Sequence, residues 1–269
     1  MQAAIDENPT STTRELSKTF NVSHMTIYRE MKRIGKVSKA GKWVPHDLSE
    51  INRQQRVTCC VSLRSRELQT PFLDRIITGD EKWILYKNVK RKRQWLSRGA
   101  KPMPQPRSEL HPKKILLCVW WDLKGIVYYE LMGDNQTITS EVYCQQLTRL
   151  KAVLQEKRPS LMNRKGVILH HDNARPHTSR ATKNLIEEFC WEVMHHPPYS
   201  PDLAPTDFHL FRSLQNYLMG QMLTSREEVK MKLVSFFESK PAKFYEEGIR
   251  KLMARWEDVI NKNGDYVDD

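Results

Sequence analysis

Three aspartates in this 269-residue chain stand where carboxylates can do chemistry. Asp80 ends or interrupts an alternating apolar segment in "ITGDEKW", and Asp172 follows the apolar run "GVIL" and two histidines. Asp207 begins a predicted helix in "SPDLAPTDFHLF". An acid at a strand end is commonly a turn former, and one at a helix start complements the helix dipole, so each alone has a structural explanation.

The three aspartates together favour a catalytic interpretation. The ends of neighbouring strands lie close together even when they are far apart in sequence, and a helix start packed beside them adds a third carboxylate. Clustered carboxylates repel one another and require cations, and oxygen ligands of this kind suit Mg²⁺ or Mn²⁺. Two such ions about 3.5–4 Å apart activate a water or a 3′-hydroxyl and stabilise the leaving oxygen in phosphoryl transfer. The hypothesis is therefore two-metal phosphoryl transfer by Asp80, Asp172 and Asp207.

Other ionisable residues compete with these three for a role. The histidines within 170–177 are an alternative zinc site, but neither an HExxH pattern nor a nearby cysteine accompanies them. Asp202 lies in the proline-flanked "SPDLAP", which is typical of a turn, so Asp207 is the preferred third acid. Glu81 adjoins Asp80, but consecutive strand residues face opposite ways, so only one of the two points into the site. The expected supporting or DNA-facing groups are Asn173, Arg175 and His177.

Strands alternating with helices are expected to position these acids. Strands are predicted at 75–88, in both halves of 113–132 around the turn "DLKG", at 165–172 and at 191–197, with a short hairpin arm at 91–97. Helices are predicted at 48–68, 137–161, 179–190 and 206–220, the last of them capped by Thr206. This order predicts an α/β fold, a mixed sheet with helices packed on its faces. Trp120 and Trp121, adjacent in one strand, are expected to enter the core on opposite sides.

Residues 1–35 have the pattern of a helix-turn-helix, with Glu15 three residues after Thr12 at the spacing of a capping box. The expected small core of this segment comprises Leu16, Phe20, Val22, Met25, Ile27, Tyr28, Met31 and Ile34. The polar parts of the second helix carry the candidate DNA-binding residues Ser23, His24, Thr26, Arg29, Lys32 and Arg33. The alternative is a helical hairpin with a solvated basic face.

The composition favours a polyanionic partner. The formal net charge is +12 with a pI near 9.5, which is typical of proteins that bind nucleic acid. The five cysteines form no CxxC pair, which indicates reduced thiols, and no apolar run approaches the length of a membrane span or of a signal core. We therefore expect a soluble, intracellular protein without a membrane partner. The loop at 97–112 contains four prolines, and Trp95 before it either stacks on an unpaired base or packs in the core.

Several sequence blocks resemble the mariner-family transposases of the Tc1/mariner superfamily. They are "TGDEKWI", "HDNARPH", "PPYSPDLAPTDFHLF" and "KWVPHDL", and the 34 residues between Asp172 and Asp207 match the family's DD34D spacing. The resemblance extends from about residue 5 to the end. Two further stretches, "LMNRKGVIL" and "KFYEEGIRKLMARWEDVINKNGDY", look especially like the subgroup in which a transposase is fused to a SET domain.

The resemblance implies an RNase H-like catalytic domain in which Asp80, Asp172 and Asp207 bind two Mg²⁺ or Mn²⁺ ions. It implies cut-and-paste transposition in the nucleus, in which hydrolysis frees the inverted-repeat ends of double-stranded DNA and the new 3′-hydroxyls attack a TA target. It further implies a homodimer held through the linker motif at 43–48, the clamp loop at 97–112 and the block at 199–205.

The implied domain order is a helix-turn-helix module at 1–35, a linker and helix at 36–70, and a DDD catalytic domain at 71–269. Family members begin with two helix-turn-helix units, and residues 1–35 match only the second, so an N-terminally truncated copy with weakened end recognition is expected. One alternative is a non-enzymatic, inactive or domesticated DNA-binding protein. Another is a nuclease that acts on RNA–DNA hybrids through the same fold.

Overall fold

Three short helices form the first of the two units into which the chain divides, Met1–Val44 and Pro45–Asp269. The computed structural model describes residues 1–8, 10–36, 44–89, 111–133 and 136–268. Trp95, the arm at 91–97, the start of the linker motif at 43–48 and nearly all of the loop at 97–112 therefore lie outside the described residues.

The helices of the first unit begin where the sequence places their caps. They are α1 (Gln2–Glu7), α2 (Thr13–Thr19) and α3 (His24–Arg33). Thr12 and Glu15 exchange the two hydrogen bonds of a capping box, as predicted. The Ser23 hydroxyl accepts a hydrogen bond from the backbone N–H of Thr26 at the start of α3. These caps satisfy backbone donors that a helix start otherwise leaves unpaired.

The core of the first unit is smaller than predicted. Its buried side chains are Ile5, Leu16 and Ile27, with Met31 and Ile34 packed against them. The expected core residues Phe20, Val22, Met25 and Tyr28 are instead between 38% and 47% exposed. The physical reason is size: each short helix buries one residue at a common centre, which leaves the flanks of a wider apolar stripe in solvent.

In the described residues of the second unit, a five-stranded mixed sheet forms the frame. Its strands are β1 (Ile76–Leu85), β2 (Lys114–Asp122), β3 (Gly125–Leu131), β4 (Ile168–His170) and β5 (Glu192–Val193). The spatial order is β3-β2-β1-β4-β5. The first three strands are antiparallel, and β4 and β5 run parallel to β1, which confirms the predicted mixed sheet.

Helices cover both faces of this sheet. They are α4 (Glu50–Gln69), α5 (Ser140–Lys157), α6 (Arg175–Thr178), α7 (Arg180–Glu188), α8 (Arg212–Leu218), α9 (Arg226–Glu238) and α10 (Ala242–Asn261). One core contains Trp121 and side chains of α4, α8, α9 and α10, whereas the other contains Trp120 and side chains of α5 and α7. The two tryptophans thus lie on opposite faces, as predicted. Among the described residues, no helix is long and apolar enough to cross a membrane.

Two local expectations need correction. The strands predicted at 165–172 and 191–197 are short, because the chain leaves the sheet just before Asp172 and again after Val193. Thr206 does not cap the helix after it: Pro205 occupies the N-cap position, and Thr206–Phe211 is a π-helical turn that leads into α8. The Thr206 hydroxyl is buried and bonded to the sheet instead.

Candidate active site

The parallel pairing of β1 with β4 brings the first two aspartates to one edge of the sheet. Thr78 of β1 is opposite His170 of β4 in the register. Asp80 and Asp172 each follow two residues later, so both lie past the same register position on neighbouring segments. The 91 residues between them in sequence therefore separate positions that are adjacent in the fold.

Hydrogen bonds to the sheet hold the segment that carries the third aspartate. The Thr206 hydroxyl accepts a hydrogen bond from the indole N–H of Trp121 at 3.0 Å and shares another with the Thr78 hydroxyl at 3.3 Å. Both contacts are buried. Because Asp207 is next to Thr206 and Asp80 is two residues after Thr78, this anchor places the two carboxylates side by side.

Asp80 and Asp207 form a partly buried acid pair. Burial, together with the negative charges of Asp207, Glu81 and Asp172, raises the pKa of Asp80 well above its ordinary value. Burial also raises the pKa of Asp207 to about 6, although its hydrogen bond with Asp80 and the charge of Lys82 oppose that rise. Two carboxyls at close range cannot both ionise cheaply, so either a shared proton or a bound cation stabilises the pair.

Asp172 is held by a buried histidine. Burial works to raise its pKa, but hydrogen bonds from His177 and from the backbone N–H of Ala174 outweigh it and lower the pKa to about 2. His177 Nδ1 lies 2.7 Å from Asp172 Oδ1, and its Nε2 lies 3.3 Å from Glu81 Oε1. Burial disfavours the charged ring, yet these two acids raise the pKa of His177 to about 10, so it is a cation at neutral pH.

The remaining histidines of the motif support the site from behind. His171 stacks on His177 with ring centroids 5.0 Å apart and bonds the Tyr143 hydroxyl at 2.8 Å. His170 bonds the Thr78 hydroxyl and His196. Burial lowers the pKa of His171 to about 3 and that of His196 to about 4, so both are neutral and serve as packed hydrogen-bonding groups.

The donor set of this site fits divalent cations. Its open cavity of about 400 Å³ is lined by Asp172 and Asp207 together with the chain from His196 to Pro201. The carboxylate oxygens of Asp172 and Asp207 that line it are hard ligands of the kind that Mg²⁺ and Mn²⁺ prefer, and a cation relieves the repulsion within the partly buried Asp80–Asp207 pair. In the described parts of the chain, no three histidine, cysteine or acidic side chains already surround one ion position.

The other residues singled out from sequence fall into two groups. Asn173 donates its side-chain amide to the carbonyl of His196 at 2.7 Å, and Arg175 is exposed on α6 beside the site. Asp202 is not part of the acid cluster, nor is it a simple turn former: it forms a buried ion pair with Arg56. The six candidate DNA-binding residues of α3 and its cap are all exposed in the first unit.

Sequence reasoning missed Glu81 and Lys82 as members of the site. The alternation rule predicted that at most one of Asp80 and Glu81 points into the site, but His177 reaches Glu81 and Asp172 at once, so both acids belong to the site. Lys82 shares its strand face with Asp80, a period-two relation that was available in the sequence. The signal was the unbroken polar run "DEK" in the middle of an apolar strand.

A mixed sheet with one acid on its central strand, one after the adjacent parallel strand and one on a later helical segment defines the RNase H-like fold of DDE transposases. In agreement, a family model described as transposase, partial DDE domain, matches residues 85–164.

Two known proteins, one of them also through its solved structure, identify the family. The chain is 41% identical over 269 residues to the Mariner Mos1 transposase of Drosophila mauritiana, covering 100% of this chain and 78% of that protein. It is 43% identical over 268 residues to the histone-lysine N-methyltransferase SETMAR of Homo sapiens, covering 100% of this chain but spanning only 39% of that protein's length. The crystal structure of the mariner Mos1 paired-end complex with Mg superposes with a TM-score of 0.87 at 42% identity, over 99% of this chain and 78% of that one. The chain belongs to the mariner transposase family.

Proposed function

We propose that this protein is a cut-and-paste DNA transposase, in which Asp80, Asp172 and Asp207 hold two Mg²⁺ or Mn²⁺ ions. The observation that carries the proposal is the partly buried Asp80–Asp207 acid pair beside Asp172 on one sheet edge. When bound, such ions activate a water or a 3′-hydroxyl and stabilise the leaving oxygen of a phosphodiester. The paired-end complex of Mos1 with Mg supports the choice of cofactor and a homodimeric state.

The chain's own residues supply orientation in this mechanism. His177 binds Asp172 and Glu81 at once, so it fixes the direction in which the Asp172 carboxylate points. The Asn173 side-chain amide donates to the carbonyl of His196, which fixes the segment after Asp172 against residues 196–201. Arg175 is exposed next to the acids and is placed to contact a DNA phosphate. Hydrogen bonds thus fix the residues around Asp172, and the exposed Arg175 lies beside them.

The first unit is proposed to recognise the transposon ends. Its helix α3 presents His24 and Arg29 to solvent, whereas Ser23 and Thr26 share the helix cap and Arg33 pairs with Glu30. A second helix of this kind lies in the major groove of DNA. We therefore assign base contacts to α3 and the chemistry to the second unit, whose core includes α4 from the predicted linker-and-helix segment at 36–70. Because the substrate is chromosomal DNA, we also propose a nuclear location.

The dimer is proposed to use the surface around Tyr199. Tyr199 is 52% exposed and stacks on His46 of the linker motif with ring centroids 3.9 Å apart. This stack joins two of the three sequence blocks, 43–48 and 199–205, into one surface. Asp202 is 8% exposed and does not contribute to it.

A cleavage assay tests the proposed function. The protein is incubated with Mg²⁺ and a duplex carrying the inverted repeats that flank its coding sequence, together with a TA-containing target. Nicks at the repeat ends and joined products at TA are expected. Salt-dependent binding without cleavage under Mg²⁺ or Mn²⁺ would instead favour the non-enzymatic alternative, and faster cleavage of an RNA–DNA hybrid would favour the nuclease alternative.

Two replacements of His177 are expected to separate its two contacts. In His177→Asn, the amide nitrogen can still donate to Asp172, whereas in His177→Gln it can reach Glu81. Loss of an orienting partner typically costs about 10- to 100-fold in metal affinity or activity. We expect the Asn variant to retain more cleavage than the Gln variant, and the Gln variant to need more Mg²⁺ for half-maximal rate. Equal losses in a Mg²⁺ titration would contradict the orienting role.

Replacement of Arg29 by alanine is expected to weaken binding of the inverted repeat roughly tenfold and to lower the slope of log affinity against log salt by about 1, because one DNA contact is lost. Arg250→Ala, which removes an exposed arginine from α10, is the matched control. Fluorescence anisotropy over a range of salt concentrations measures both. An Arg29 variant that binds like the control would exclude this residue from the interface.

A further inference from the structure

Lys82 lies at the margin of the acid pair on the same strand face as Asp80. Residues two apart on a strand share a face and are separated by about 6.7 Å. The Lys82 ammonium lies 5.5 Å from the centre of the Phe211 ring, and Phe211 is four residues beyond Asp207 on the segment that carries it. Lys82 therefore connects the two elements that supply the pair: it belongs to β1, which carries Asp80, and it contacts the segment that carries Asp207.

The chemistry of this position suits an anionic ligand. Lys82 is partly buried, and its ammonium lies over the Phe211 ring, beside the segment that carries Asp207. Its positive charge works to lower the pKa of Asp207, so the two groups are within electrostatic reach. Once divalent ions neutralise the acids, the ammonium no longer faces a net negative cluster, and its natural counter-charge is a DNA phosphate.

We propose that Lys82 binds the backbone phosphate adjacent to the scissile phosphate on the strand being cut. The inference rests on the proposed function, because it assumes that DNA passes over the three acids. The position supports a neighbouring phosphate rather than the scissile one, since Lys82 lies two residues beyond Asp80 on the strand and its ammonium is directed to Phe211, to one side of the acids. Lys82 is a positioning residue in this scheme, setting the register of the strand over the acids.

Binding without metal gives the first test. Affinity for the inverted-repeat duplex is measured in EDTA over a range of salt concentrations for the parent, Lys82→Met and Lys82→Arg. Methionine keeps the packing on Phe211 and removes the charge, whereas arginine keeps the charge. Lys82→Met is expected to lower the salt slope by about 1 and Lys82→Arg to restore it. Lys230→Met, which removes an exposed lysine from α9, is the matched control and is expected to leave the slope unchanged.

Neutralising single phosphates gives the second test. Duplexes that carry one methylphosphonate at each position around the cleavage site are cut in Mg²⁺ by the parent and by Lys82→Met. On ordinary DNA, Lys82→Met is expected to lose roughly 10- to 100-fold in cleavage rate, the size of one charge-assisted contact. On DNA neutralised at the adjacent phosphate, the cleavage rate of the parent is expected to fall by the same factor. The rate of Lys82→Met is expected to be the same on this DNA as on ordinary DNA.

Each outcome of these two tests has a distinct meaning. The rate loss caused by Lys82→Met and the rate loss caused by neutralising a phosphate are compared at each position. If the two losses multiply at every phosphate position, Lys82 acts only through its charge on Asp207, and the proposed contact is wrong. If Lys82→Met binds and cuts like Lys230→Met, the contact is also wrong. If the parent does not cut at all, the proposed function fails, while the salt slope in EDTA still decides whether Lys82 binds the backbone.

Discussion

Replacing Asp80 by asparagine is expected to abolish Mg²⁺-dependent DNA nicking and, in the same protein, to raise the melting temperature in EDTA. Loss of a carboxylate that holds a catalytic ion removes several kcal/mol of transition-state stabilisation, roughly a thousandfold or more in rate. The stability gain has a different origin. A carboxyl whose folded pKa is raised destabilises the fold at any pH where the unfolded chain would ionise it, and asparagine removes that cost.

The measurements are a nicking assay and paired thermal melts with and without Mg²⁺. Mg²⁺ is expected to stabilise the parent, because it binds only the folded acid site, and to stabilise Asp80→Asn much less. Glu187→Gln makes the same acid-to-amide change on the exposed face of α7 and is expected to alter neither activity nor stability. An Asp80→Asn protein that nicks DNA like the parent would refute the catalytic assignment. A melting temperature of Asp80→Asn in EDTA below that of the parent would refute the claim that the Asp80 carboxyl destabilises the fold.

Replacing Asp202 by alanine is expected to destabilise the second unit by about 3–5 kcal/mol, because it leaves a buried arginine without its counter-charge. Arg56 is 0% exposed and donates to both Asp202 carboxylate oxygens, at 2.9 and 2.7 Å. It also donates to the Ser200 hydroxyl and to the carbonyl of Gly264. The Val267 backbone N–H donates to Asp202 as well, so one ion pair joins α4, the 199–205 block and the C-terminal segment.

Urea or thermal unfolding measures this loss. Glu192→Ala is the matched control, because its partner Arg66 is 35% exposed and a half-exposed ion pair contributes only about 1 kcal/mol or less. The double replacement Arg56→Met with Asp202→Leu is expected to recover much of the loss, since a hydrophobic pair of similar volume needs no counter-charge. An Asp202→Ala variant as stable as the control would show that the buried pair contributes little.

Much of the fold was predictable from local patterns in the sequence. The hairpin around "DLKG", the long helix after it and the capping box at Thr12 depend on residues close together in the chain, and all are present. The opposite facing of Trp120 and Trp121 follows from strand geometry alone. The predictions that failed depend on how much surface neighbouring elements bury. Tyr28 is exposed because the first unit has too few elements to cover it, and Thr206 turns from a cap into a buried anchor.

The identities and order of the three aspartates were available in the sequence by itself, because their strand-end and helix-start settings are local features and their spacing matches a family pattern. Only the tertiary structure decided which charged neighbours join them. Whether Glu81 meets His177, whether Lys82 reaches Phe211 and whether Asp202 pairs with Arg56 depend on the pairing of segments up to 146 residues apart. Long-range packing sets such contacts, and neither periodicity nor residue type within one segment encodes them.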